Sequence, residues 1–169
     1  TMLNKIIGNK RKEVEISKRT MPLSSFKHEL ANSTRDFKKA LSKDKLNLIA
    51  EFKRNSPSKN ISEKQFDMGK IIGIYNKYAD AISVLTDNKF FSGSLSDMEE
   101  ASMLTKLPIL RKDFIIDEYQ IYEARFHNAD AVLLIASILS KVQIDDFIEI
   151  AKSMNMSCLV EAHTEDDLN

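Results

Sequence analysis

Cysteine, glycine, long apolar runs and any excess of charge are scarce in this chain, and each scarcity excludes something. Of its 169 residues, one is a cysteine, Cys158. A single thiol forms no internal disulfide, which fits a reducing compartment and excludes a disulfide-stapled scaffold. Glycine occurs four times, at Gly8, Gly69, Gly73 and Gly93. None stands in a G-x-G-x-x-G or Walker arrangement, so the nucleotide fingerprints are absent. The longest apolar stretch, Ala131 to Leu139, is about half of what a membrane span requires. The opening Met2-Leu3-Asn4-Lys5 leads into a mixed polar segment without a signal-peptide pattern. A cytoplasmic protein with no membrane partner is the expectation. His28, His127 and His163 lie in separate stretches. No zinc spacing arises, and no metal site is expected.

Lys plus Arg and Asp plus Glu number 25 each, for a net charge of zero. A neutral chain is not drawn to nucleic acid or anionic lipid by its overall field. The charge is uneven, with 15 basic and 6 acidic side chains in residues 1–60. That segment reads as a solvated basic helical region rather than an anion-binding tail. What the chain does have is 43% hydrophobic residues, enough for a real core and too many for disorder.

Residues 3–42 read as helical, with Leu3, Ile6, Ile7 and Val14 near helical spacing. Thr34 is a candidate cap for a second helix running through Leu41. After that the pattern changes. Short apolar runs at Leu46–Phe52, Ala81–Leu85, Pro108–Leu110, Ala131–Ala136 and Met156–Val160 alternate with helix candidates near 65–77, 95–106, 117–127 and 141–153. A further helix starts at 164. Uninterrupted apolar runs suit strands buried on both faces, and strand–helix alternation predicts parallel βαβ units with right-handed crossovers. Strand starts recur roughly every 27 residues, so eight units after a leader would need about 265 residues, close to the size of a (β/α)8 barrel. Periodicity leaves two readings: a five-stranded open sheet or a truncated barrel.

Three polar clusters sit where apolar runs end. Glu51 and Lys53 are two apart, and so on one side of a strand. Neither belongs in an apolar sheet unless it is paired or functional; a structural Glu–Lys pair reads equally well. Lys112, within Leu110-Arg111-Lys112-Asp113-Phe114, is either a proton donor at a strand end or part of a charged turn. Glu161 ends the fifth run. His163, two residues on, reads as a loop residue ahead of a helix cap. Jointly the three clusters say more. All four ionisable groups fall at the C-terminal ends of the first, third and fifth strands. In a barrel that is the active-site face, and alternate strands feed one interior layer. Two amines and two carboxylates sharing a cavity would have divergent proton affinities, suited to a division into acid and base.

The stretches Ile49 to Lys59, Ile82 to Asp87, Phe90 to Ser94, Pro108 to Asp117, Tyr119 to Ala124, Ala129 to Ala136 and Leu159 to Thr164 resemble, in order and spacing, the indole-3-glycerol-phosphate synthases of tryptophan biosynthesis. The resemblance implies an α/β fold of the (β/α)8 TIM-barrel family with an N-terminal helical extension, here an incomplete barrel of about five parallel strands. Residues 1–45 would form the extension packed on the barrel, and 46–169 the first five βα units. The implied activity is a carboxy-lyase reaction. It closes the indole ring of 1-(2-carboxyphenylamino)-1-deoxyribulose 5-phosphate with loss of carbon dioxide and water, without cofactor or metal. By motif, Lys112 resembles the general acid at the ribulose carbonyl. Lys53 resembles the lysine that meets the anthranilate carboxylate, Glu161 the base of the dehydration, and Glu51 the partner that orients the lysines. Ser56 resembles a phosphate-side residue, and Phe91, Phe114 and Leu133 the walls around the aromatic ring.

Three positions depart from the family pattern. Asn60 and Asn128 stand where the family has glycine, and asparagine tolerates left-handed backbone. Tyr78 stands at another such position, where strain is expected. The family's last three strands and the phosphate loops they carry have no counterpart, so weak or no turnover is expected of these 169 residues. Two other readings remain at this point. One is a non-catalytic folded fragment or self-association module that uses its unpaired sheet edges. The other is another phosphate-handling barrel enzyme such as phosphoribosylanthranilate isomerase, which the Glu51, Lys112 and Glu161 motifs fit poorly.

Overall fold

The computed structural model describes residues 1–58 and 67–168; Lys59 and Asn60 lie outside the described residues. Five strands form one sheet: β1 (Ile49–Phe52), β2 (Ala81–Leu85), β3 (Ile109–Lys112), β4 (Ala131–Ile135) and β5 (Ser157–Glu161). They lie in sequence order, and every neighbouring pair is parallel. β1 and β5 are the two edges, and the sheet is not closed.

Sheet faces follow from the alternation of side chains along each strand. Phe52, Ile82, Val84, Ile109, Val132 and Leu134 point to the convex face and are buried among the helices. Those helices are α4 (Met68–Tyr78), α6 (Leu95–Leu104), α7 (Tyr119–Phe126) and α8 (Lys141–Ser153). Burying one such aliphatic side chain contributes about 1.5–3 kcal/mol, so this layer is the main core. Every position of β2 and β4 is buried, as the uninterrupted apolar runs require. β5 is buried on fewer sides, and Leu159 and Val160 at its open edge are 37% and 44% exposed.

The leader wraps this framework. It comprises α1 (Met2–Thr20), α2 (Leu23–Phe26) and α3 (Phe37–Ala40), with a 3-10 turn at Lys27–Glu29. Phe37 and Leu41 cover Ala81, Leu110 and Ala131 at the N-terminal ends of the strands. α1 reaches the other side, where Lys18 pairs with Asp117 at 2.5 Å and the Tyr119 hydroxyl donates to the Met21 carbonyl at 2.8 Å.

Several local expectations change. The cap of α3 is Asp36, whose side chain accepts from Lys39 N, and not Thr34. Tertiary bonds hold the preceding segment extended: Ser33 donates to Asp130 at 2.7 Å and Arg35 to the Ser102 carbonyl at 2.9 Å. β1 starts at Ile49 rather than Leu46, which is 94% exposed. Leu48 N and the Lys43 and Lys45 ammoniums all converge on Asp80, and this gathers the chain into a turn just before the strand. Arg111 and Lys112 belong to β3 itself. Asn128 takes the left-handed conformation expected of it, at φ 70°. Tyr78 does not: it ends α4 without positive φ and points to solvent, so the strain expected there is absent. A short helix, α5 (Asn88–Phe91), follows β2, outside the helix candidates of the sequence pattern.

Candidate active site

The concave face of the sheet carries Glu51, Leu85, Lys112, Leu133, Ile135 and Glu161 at successive strand ends. With Lys53, Phe91, Asp113 and Phe114 they line one cavity of about 180 Å³. An apolar cavity of roughly 150 Å³ holds a benzene ring, so this one matches a single six-membered ring with its substituents. Phe91, from α5, and Phe114, after β3, face each other at 6.2 Å between centroids, tilted by 36°. Leu133 and Ile135 supply apolar floor from β4.

The charged rim is built on Glu51. Its Oε2 accepts from Lys112 Nζ at 2.5 Å, and its Oε1 lies 2.9 Å from Lys53 Nζ. One carboxylate thus holds two ammoniums side by side, each still about a third exposed to solvent. Burial alone would raise the Glu51 pKa, but bonding to Lys112 and Lys53 outweighs it and holds the carboxyl below the usual glutamate range. The Tyr75 hydroxyl of α4 donates to the Glu51 carbonyl at 2.6 Å and pins the strand that carries it. Glu161 faces the same cavity from β5, and its Oε1 lies 2.6 Å from His163 Nε2. Seven of the eight candidate residues therefore share one space. Ser56 does not line it: its amide donates to Asn55 Oδ1 at 2.8 Å, and its hydroxyl lies 3.1 Å from that of Ser58.

A second set of charges, absent from the sequence reading, lies directly behind this cavity. Arg111 points to the opposite side of β3 from Lys112 and is 3% exposed. It bonds Thr86 at 3.0 Å, the Gln120 carbonyl at 2.9 Å and Asp113 at 3.2 Å, and it pairs with Glu123 at 2.9 Å. Lys10 of α1, equally buried, reaches Asp87 at 2.8 Å and Asp113 at 2.9 Å. Burial raises the Asp113 pKa, and Arg111 with Lys10 more than reverses this, so the carboxyl stays ionised. The signal for Lys10 was present in the sequence. It falls midway between Ile6 and Val14 on one helix face, and a lysine inside an apolar stripe needs a buried partner. Among the described residues, no group of three His, Cys, Asp or Glu side chains is placed to hold a metal ion.

Comparison with known proteins agrees with this architecture. The family model described as indole-3-glycerol phosphate synthase matches residues 3–169. The chain is 44% identical over 169 residues to the indole-3-glycerol phosphate synthase of Thermoanaerobacter pseudethanolicus, covering 99% of itself and 65% of that protein. It is 45% identical over 172 residues to the protein of the same name from Endomicrobium trichonymphae, of which it covers 67%. Against the tryptophan biosynthesis protein TrpCF of Buchnera aphidicola it is 44% identical over 168 residues and covers 37% of that longer chain. The chain thus spans about two thirds of the length of the synthases it matches. With a family model spanning nearly every residue and charged strand ends gathered around one aromatic-walled cavity, this chain belongs to the indole-3-glycerol phosphate synthase family.

Proposed function

We propose that the cavity carries out the reaction of that family, the ring closure, decarboxylation and dehydration of 1-(2-carboxyphenylamino)-1-deoxyribulose 5-phosphate. The observation that carries the reading is the Lys53–Glu51–Lys112 arrangement at the mouth of a cavity sized for one aromatic ring. The substrate's ring lies in the cavity against Phe91, Phe114 and Leu133. Its carboxylate meets Lys53, an ammonium already turned toward the cavity by Glu51. As the carboxylate-bearing ring carbon attacks the ketone, negative charge grows on the ketone oxygen, and Lys112 donates a proton to it. Carbon dioxide then leaves and the carbon–carbon bond electrons return to the ring. In the dehydration, Lys53 gives a proton to the hydroxyl, which leaves as water, and Glu161 takes a proton from the substrate carbon beside the ring nitrogen as the double bond forms. Glu51 holds both amines toward the cavity between steps.

Ser56 is the phosphate-side candidate. It lies outside the cavity, and slow turnover by these 169 residues is expected. Single-turnover reaction with protein in excess tests the reading, with indole-3-glycerol phosphate followed by its fluorescence and carbon dioxide by trapping. One equivalent of each per site is expected. Absence of both, together with no binding of the substrate, would overturn it.

A second reading concerns association. Among the described residues, β1 and β5 each pair on one side only, and Leu159 and Val160 stand exposed on the β5 edge. Unpaired edges of this kind template pairing with another chain, so self-association is expected at high concentration. A strictly monomeric light-scattering mass would count against it.

A further inference from the structure

The two aromatic walls come from α5 and from the segment after β3, and their rings meet across the cavity. A tie between them lies behind it. Asp87 caps α5, accepting from Phe90 N at 2.8 Å through Oδ1. This sets the turn that ends in Phe91. Asp113 accepts from Phe114 N at 2.7 Å, also through Oδ1, which sets the backbone of the facing ring. The Lys10 ammonium lies 2.8 Å from Asp87 Oδ2 and 2.9 Å from Asp113 Oδ1. It is the contact that joins the two carboxylates, and Glu13, one turn along α1, braces it at 2.6 Å.

We propose that Lys10 is a positioning residue for the aromatic walls: by bridging Asp87 to Asp113 it fixes the placement of the Phe91 ring relative to the Phe114 ring, the two that wall the aryl end of the cavity. The inference rests on the reading that this cavity takes the aromatic end of an aryl-carboxylate substrate, and it extends that reading to a side chain on the leader helix. Burial acts against the Lys10 charge, but Asp113, Asp87 and Glu13 together raise its pKa above that of an ordinary lysine. Other bonds hold each wall singly: Gln120 Nε2 donates to the Phe114 carbonyl at 3.0 Å, and the Phe91 carbonyl accepts from Asn55 N at 3.2 Å. Neither of these spans the two; Thr86, the residue before Asp87, does, its hydroxyl donating to Asp113 Oδ2 at 2.6 Å, so Lys10 shares the tie and is the part of it that reaches Asp87 itself.

The test uses two variants of the full chain. Lys10→Met alone leaves the buried Asp87 without its counter-ion and lowers the melting temperature. The pair K10M/D87N removes one charge of each sign and keeps a capping side chain on α5, since asparagine caps as aspartate does. It is expected to recover most of the melting temperature. NMR cross-relaxation between the Phe91 and Phe114 ring protons is expected in the parent chain and lost in K10M/D87N. Affinity for N-methylanthranilate, read by its fluorescence, is expected to fall roughly five- to tenfold, the factor an oriented aromatic contact supplies. A K10M/D87N variant that keeps both the ring contacts and the affinity overturns the inference. Loss of the ring contacts, in a parent chain that binds no N-methylanthranilate, keeps the role of Lys10 and refutes the aryl-carboxylate reading.

Discussion

Replacing Arg111 by methionine tests the charge network behind the site in stability terms. Methionine fills much of the same volume with an apolar chain but removes four interactions. Thr86 and the Gln120 carbonyl lose a donor, while Asp113 and Glu123 lose a counter-ion. Asp113 retains Lys10, Thr86 and Phe114 N. Glu123, 7% exposed, is left with far less. Removing one partner of a buried pair costs about 3–5 kcal/mol, and the orphaned Gln120 carbonyl adds about 1 kcal/mol. Against a typical domain stability of about 5–15 kcal/mol that is a severe loss. For a domain of this size it lowers the melting temperature by roughly 8–24 °C. Urea denaturation should show a lower midpoint with an unchanged slope. The double variant R111M/E123M should recover part of the loss, because removing both charges of a buried pair is far milder than removing one. A single Arg111→Met cost under about 1 kcal/mol, or no recovery in the double variant, would refute the view that Arg111 is a buried counter-ion rather than a solvated surface charge.

Three more outcomes follow from particular contacts. A Cβ on Gly93 would meet the Leu85 carbonyl oxygen at 2.1 Å, so Gly93→Ala must push α5 away from β2. It should cost about 1–3 kcal/mol and weaken aryl-carboxylate binding with it; a neutral effect in urea denaturation would contradict the close approach. Burial pushes the Cys158 thiol up to about 11, so its reaction with a disulfide reagent at pH 8 should be about two orders of magnitude slower than that of free cysteine. A normal rate would show that β5 opens in solution. Because the folded-state pKa of Glu51 is depressed, its contribution to stability is full above the ordinary glutamate value of about 4.3 and is lost as pH falls through the folded value. Glu51→Gln should therefore flatten the acid limb of the stability–pH curve. An unchanged limb would place the carboxylate away from both lysines.

The strands were legible because parallel strands covered on both faces leave uninterrupted apolar runs, as Ala81–Leu85 and Ala131–Ile135 do. Glu51, Lys53, Lys112 and Glu161 stood out because a charge at the end of such a run is costly unless it faces a cavity. What the sequence hid was set by partners distant in the chain. Asp36 caps α3 because Ser33, 97 residues from Asp130, is tied to it. Lys10 passed as one more charge on a basic helix, since its carboxylate partners follow β2 and β3. Short α5 has too few residues to show a period, and only its capping aspartate marks it.

The most direct test of the proposed chemistry is Lys112→Met under single-turnover conditions, compared with the parent chain at the same substrate occupancy. The account predicts a loss of about 10²–10⁴ in the rate of indole-3-glycerol phosphate formation, the usual contribution of a positioned acid. A rate equal to that of the parent chain would contradict it.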